Sequence, residues 1–172
     1  GWMGLEGIAS CLQKQTDRSS HRNGDKIRMT AHGNPESDVD AFIKAQPVAR
    51  LATADANRDP HVVPICYVYD GRCLYTPLDL KPKSVPVLRL KRVRNIAENP
   101  KVAVVVDHYS DDWSLLGSAL IRGSASVLEE GNERARAEAM LREKYPQYRE
   151  LLPETPTILK ITPRDVTGWG KL

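Results

Sequence analysis

Between Leu80 and Pro100 the chain runs LKPKSVPVLRLKRVRNIAENP, and Lys81, Lys83, Arg89, Lys91, Arg92 and Arg94 all precede its first acid, Glu98. Cations gathered where a helix begins suit an anionic ligand, because free N–H groups and cationic side chains converge there. The same charges would also make a solvated helix face, so charge alone leaves both readings open. Other chemistries lack their residues. His21, His32, His61 and His108 have no metal-ligand spacing, and HExxH, GxGxxG, a P-loop and GxSxG are all missing from the sequence. His61 and His108 fall at predicted strand ends, where a structural or surface role is expected, although Asp107 beside His108 leaves a functional pair open. Trp113 follows two acids and would either stack on a flat ligand or plug a barrel end. An enzyme so equipped takes its chemistry from a cofactor and supplies orientation and electrostatics itself. The common redox cofactors carry phosphates, which match the basic helix start.

The elements that must position these residues follow from periodicity. Ser37-Asp38-Val39-Asp40 resembles a capping box, with Val39, Phe42 and Ile43 on one face of a short helix that Pro47 closes, a lid for a barrel end. Val48–Asp55 alternates as a strand, Ala56–Pro60 is turn chemistry, and His61–Tyr69 is a second strand. Pro64 within it predicts an edge or a bulge. Asp70-Gly71 signals a hairpin returning through Cys73–Pro77. The basic helix starts near Ser84 or later, after Pro82 and Pro86, and ends at Asn99-Pro100. Lys101–His108 is a continuous apolar strand, expected to be buried on both faces or nearly so, and Leu115–Leu128 a long one with Gly117 and Gly123 as bends or bulges. A helix over Glu129–Lys144, a helical turn between Pro146 and Pro153, a strand over Thr157–Thr162 and a short one at Val166–Trp169 complete the chain. The fold class is mostly β with added helices: about six strands in a small antiparallel barrel.

The 172 residues suit one domain, with residues 1–35 a flexible N-terminal extension, Met29 a candidate true start, and residues 36–172 the folded unit. A net charge of +3 does not announce a nucleic-acid binder, and no apolar run is long enough to span a membrane. Cys11, Cys66 and Cys73 form no CxxC; Cys66 and Cys73, in predicted strands, read as small buried hydrophobes, in keeping with a reducing cytoplasm.

The stretch ARLATADANRDPHVVPICYVYDGRCLYT, the helix ending RNIAENPKVAVVVDHYSDDW and the closing TGW, in this order, resemble the pyridoxamine 5′-phosphate oxidase-like split β-barrel family. Within it the chain is most similar to the deazaflavin (coenzyme F-420)-dependent branch, over about Asp38–Trp169. The resemblance implies a six-stranded split barrel of the FMN-binding type, a homodimer, and two cofactors bound across the subunit interface. It implies that His61, Val62, Val63 and Pro64 pass along the cofactor ring, that Thr76 lies near its ribityl and phosphate portion, and that Lys91 and Arg92 grip the phosphate. Trp113 joins this set as a stacking surface. Between Thr76 and Lys91 the chain is longer than the simple flavin-oxidase pattern, and the excess holds Lys81 and Lys83. These cations either take over the phosphate or reach the acidic tail of a deazaflavin. Arginines of a pyridoxal-phosphate substrate site have no clear equivalents, which disfavours pyridoxamine phosphate as substrate.

The expected function is therefore an oxidoreductase using F-420 to transfer hydride to or from a small organic substrate. An FMN-binding reductase or oxidase of the same fold is the alternative, and a non-catalytic flavin or deazaflavin carrier is the alternative of another class.

Overall fold

The computed structural model describes residues 28–29, 38–78 and 87–172. Its centre is one antiparallel sheet with strand order β3-β2-β6-β7-β8-β5-β4. In chain order these are β2 (Ala49–Ala54), β3 (Pro60–Ile65), β4 (Val68–Tyr69), β5 (Leu74–Pro77), β6 (Lys101–His108), β7 (Gly117–Leu128) and β8 (Ile158–Gly170). A two-residue strand β1, Arg28–Met29, pairs with β8 at Thr167 and Val166; the rest of the N-terminal 35 residues lies outside the described residues. The six longer strands match the expected split barrel, with β1 and β4 added.

Strand alternation builds two cores. Leu51 of β2, Val104 and Val106 of β6, Ala119 and Ile121 of β7, and Leu159 and Ile161 of β8 line the concave side. Helix α1 (Asp38–Ala45) closes it with Val39, Phe42 and Ile43, as the apolar spacing predicts, and α2 (Lys91–Glu98) adds Val93 and Ile96. Burying such side chains supplies about 1.5–3 kcal/mol each relative to exposure. On the convex side, Val68, Tyr75 and Ile158 pack under α3 (Asn132–Lys144) and α4 (Tyr148–Leu151) through Ala137, Leu141 and Tyr148. The other half of the convex side, on β3, β2, β6 and β7, leaves Val62 60% and Val105 38% exposed.

Several expectations change. His61–Tyr69 is not one strand: pairing stops at Ile65, and β3 and β4 go to opposite ends of the sheet. This parting is the split. Tyr67 at the break is fully buried; its hydroxyl donates to the Ile43 carbonyl, and its N–H donates to the Tyr145 hydroxyl at 3.1 Å. The Asp70-Gly71 turn therefore joins β4 to β5, while among the described residues β3 pairs only with β2. Cys66 and Cys73 flank strands instead of lying in them, and are half-buried. The two closing strands merge into β8, which crosses a bulge opposite Arg122 and Gly123. A Cβ on Gly123 would stand 2.1 Å from the Thr162 carbonyl oxygen. Helix α3 starts at Asn132, three residues late, because Gly131 at φ +92 breaks the helical run before it. Ser84, Lys81 and Lys83 lie outside the described residues; a 3-10 turn at Val87–Arg89 leads into α2.

Candidate functional site: the head of helix α2

Helix α2 carries two stripes. Val93 and Ile96 are buried in the concave core. Lys91, Asn95 and Glu98, spaced four and three apart, share a polar face and bind the β2–β3 hairpin. Lys91 Nζ lies 3.1 Å from Asp55 and 3.6 Å from Asp59. Asn95, 1% exposed, donates through Nδ2 to Thr53 Oγ1 at 3.0 Å, and Thr53 Oγ1 donates to the His61 carbonyl at 3.4 Å. Glu98 accepts the Ala56 N–H at 3.0 Å. Asp55 in turn accepts the N–H groups of Asn57 and Asp59. The Asp59 N–H and then Lys91 hold the Asp55 carboxyl below its ordinary value, and Asp55 raises Lys91.

The adjacent cation is different. Arg92 Nε is buried without a hydrogen-bond partner among the described residues, and burial lowers the guanidinium pKa. A buried donor on a cation is costly unless a ligand or water accepts it. Lys91 and Arg92 are the first two helical positions, whose N–H groups have no intrahelical acceptor, and the N-cap Leu90 offers no side-chain cap. An anion placed at this helix start would meet free N–H groups and the positive helix end, with the Arg92 guanidinium on the same first turn. The donor set fits a phosphate.

The other expected site residues divide by strand geometry. β3 lies at one end of the sheet order, so among the described residues one side of its backbone has no strand partner. His61 and Val63 turn to the concave side opposite Thr53 and Leu51; Val62 and Pro64 face outward opposite Ala52 and Arg50. Pro64 at an edge is as expected. Thr76 is 2% exposed, on β5 beside Leu159. Trp113 does not plug the barrel; it is 52% exposed on the β6–β7 connection. Asp107 pairs with Arg50 across the convex face, and His108 is exposed. Asn95, Thr53 and Asp55 were not singled out by sequence reasoning; the signal available was the Lys91, Asn95, Glu98 spacing facing a turn rich in Asp.

A family model described as pyridoxamine 5′-phosphate oxidase matches residues 36–170, the sheet with its helices from α1 onward. The chain belongs to that family. Among curated proteins, a 5a,11a-dehydrotetracycline/5a,11a-dehydrooxytetracycline reductase of Streptomyces rimosus is 29% identical over 133 residues, covering 75% of this chain and 78% of that one. Among solved structures, the conserved hypothetical protein Rv2991 of Mycobacterium tuberculosis has a TM-score of 0.65 at 17% identity, covering 88% of this chain and 90% of that one. An FAD-binding protein from Mesorhizobium loti has a TM-score of 0.58 at 23% identity, covering 83% and 96%. These likenesses bear out the split-barrel fold, and the curated relative is an oxidoreductase.

Proposed function

We propose that this member of the pyridoxamine 5′-phosphate oxidase family is a reductase that binds a flavin-type cofactor at the head of α2 and reduces a small conjugated organic acceptor. The observation that carries the reading is Arg92: a buried guanidinium nitrogen with no partner among the described residues, on the first turn of a helix, beside a lysine already taken up by Asp55. The cofactor, when bound, supplies two-electron hydride chemistry. Arg92 and the first N–H groups of α2 hold its phosphate, the open backbone side of β3 at His61–Pro64 lies along its ring, and the Asn95–Thr53–His61 chain fixes the two relative to each other. Deazaflavin F-420 is favoured over FMN, because Lys81 and Lys83 supply more cations than one phosphate needs and suit an acidic tail.

The working unit is a homodimer. Trp113, nominated for the cofactor ring, follows the His108 end of β6, while α2 precedes its Lys101 end. Seven steps of about 3.3 Å place these ends roughly 23 Å apart, too far for one small ligand to touch both in one copy. A twofold axis across the exposed convex face brings the His108 end of one copy to the Lys101 end of its partner. The exposed Val62 and Val105 on that face support this arrangement.

The test is a fluorescence titration with F-420 and with FMN, followed by anaerobic mixing of the reduced complex with conjugated enones. Binding with oxidation of the cofactor by the acceptor is expected. No affinity for either cofactor would defeat the proposal; tight binding without turnover across the acceptor panel would make the protein a carrier.

A further inference from the structure

The β2–β3 hairpin is held at both ends. At its turn end α2 supplies Lys91, Asn95 and Glu98. At its open end the last register pair is Ala49 with Ile65, and two residues beyond them lie Pro47 and Tyr67, outside the ladder. The backbone groups there are taken up by the C-terminal end of α3. The Tyr145 hydroxyl accepts the Tyr67 N–H at 3.1 Å and shares its own proton between the Tyr67 carbonyl at 2.7 Å and the Pro47 carbonyl at 2.8 Å. Burial pushes this hydroxyl up to about 12, so the shared proton is present across neutral pH. The preceding residue completes the clasp. Lys144 Nζ donates to the Lys44 carbonyl at 2.9 Å and the Gln46 carbonyl at 2.8 Å, and stands 4.6 Å from the centre of the Tyr67 ring. Tyr145 itself packs on Tyr148, ring centres 5.3 Å apart, and Leu141 one turn earlier is fully buried in the convex core.

Two consecutive residues of one helix end therefore bond both chains of the hairpin. Backbone groups that leave a ladder inside the fold need such partners. The consequence reaches further than satisfaction of those groups, because β3 pairs with β2 alone among the described residues. A strand bonded along one side takes its placement from what ties its two ends. We propose that Tyr145 and Lys144 are positioning residues for the cofactor ring. By clasping Pro47 and Tyr67 they set where the free backbone edge of β3, at His61–Pro64, stands relative to the anion seat on α2. The role rests on the reductase reading above, and both side chains act through the hairpin. A displacement of about 1 Å caused by a change far from the chemistry is enough to cost about a hundredfold in rate.

The test uses the full chain and equilibrium titration with riboflavin and FMN, or with F-420 and its phosphate-free deazariboflavin if that is the pair that binds, together with the visible spectrum of the bound ring. Tyr145→Phe keeps the aromatic ring on Tyr148 and removes only the hydroxyl. It should weaken riboflavin and FMN by the same factor, about threefold to tenfold, the size of one hydrogen bond. The preference for FMN over riboflavin is then kept, while the visible band of the bound ring moves. Lys144→Met should shift the same readouts in the same direction and Lys144→Arg should restore them, which keeps the test decisive if Tyr145→Phe does not fold. Ring affinity and band unchanged in both Tyr145→Phe and Lys144→Met would overturn the positioning role alone. So would a loss confined to FMN, because that places the effect at the phosphate. A wild type that binds neither pair overturns the reductase reading and this role together.

Discussion

Adjacent cations of the same helix turn have different fates. Lys91 is drawn to Asp55 and Asp59, whereas Arg92 buries Nε with no acceptor among the described residues. Lys91→Met should therefore lower stability while changing FMN affinity by less than about threefold, because the Lys91 ammonium is already held by Asp55 and Asp59 and the substitution keeps the backbone N–H that faces the proposed phosphate. The pH dependence has a definite sign. Asp55 is depressed below 3.8, so its contribution is present above that value and fades as the pH falls through the lowered pKa. Lys91 is raised above 10.5, so its contribution is complete below that value and is lost only as the pH rises through the raised pKa. Across neutral pH the pair is intact. Acid titration followed by tryptophan fluorescence or circular dichroism should show an unfolding slope below about pH 3.8 that is shallower in Lys91→Met.

At the scale of elements, α2 is the joint between the anion seat and the strand proposed to carry the ring. Replacing Asn95 by Leu removes the donor to Thr53 and leaves buried polar atoms short of partners, a loss of about 1–3 kcal/mol in denaturant unfolding. Asn95→Leu should also weaken cofactor binding, whereas a loss of stability with unchanged affinity would limit Asn95 to a packing role. Much of this architecture was legible beforehand. The alternation in Val48–Asp55 and the face formed by Val39, Phe42 and Ile43 depend on local periodicity, and each is found; the apolar run Val102–Val106 is a strand as expected but is not buried on both faces, because the convex side leaves Val105 38% exposed. The break after Ile65 was not legible, because Cys66 and Tyr67 continue an apolar run. What stops the strand is tertiary: the Tyr67 N–H bonds to the Tyr145 hydroxyl, a residue 78 positions away. The Lys91 and Arg92 distinction was hidden for the same reason. Two adjacent cations differ only in what the hairpin and the core place beside them.

At the scale of the whole molecule, among the described residues the convex face is half covered by α3 and α4 and half bare. The bare half carries Val62 and Val105, with Arg50 and Asp107 paired beside them. If two copies meet there, Val105→Asp puts a charge into each side of the interface. Sedimentation should then report monomers, the thermal midpoint should lose its dependence on protein concentration, and cofactor affinity should fall with the dimer. A monomer that binds cofactor as tightly as the wild type would remove the need for a second copy. The central claim is the anion seat at Arg92, and riboflavin is the control that isolates it, since it is FMN without the phosphate. Equilibrium titration of wild type and Arg92→Met with both ligands is the direct measurement. The wild type should prefer FMN over riboflavin, and Arg92→Met should lose about tenfold to a hundredfold of FMN affinity, matching one or two charged hydrogen bonds, with riboflavin binding unchanged. Equal FMN affinity in the two proteins would contradict the account.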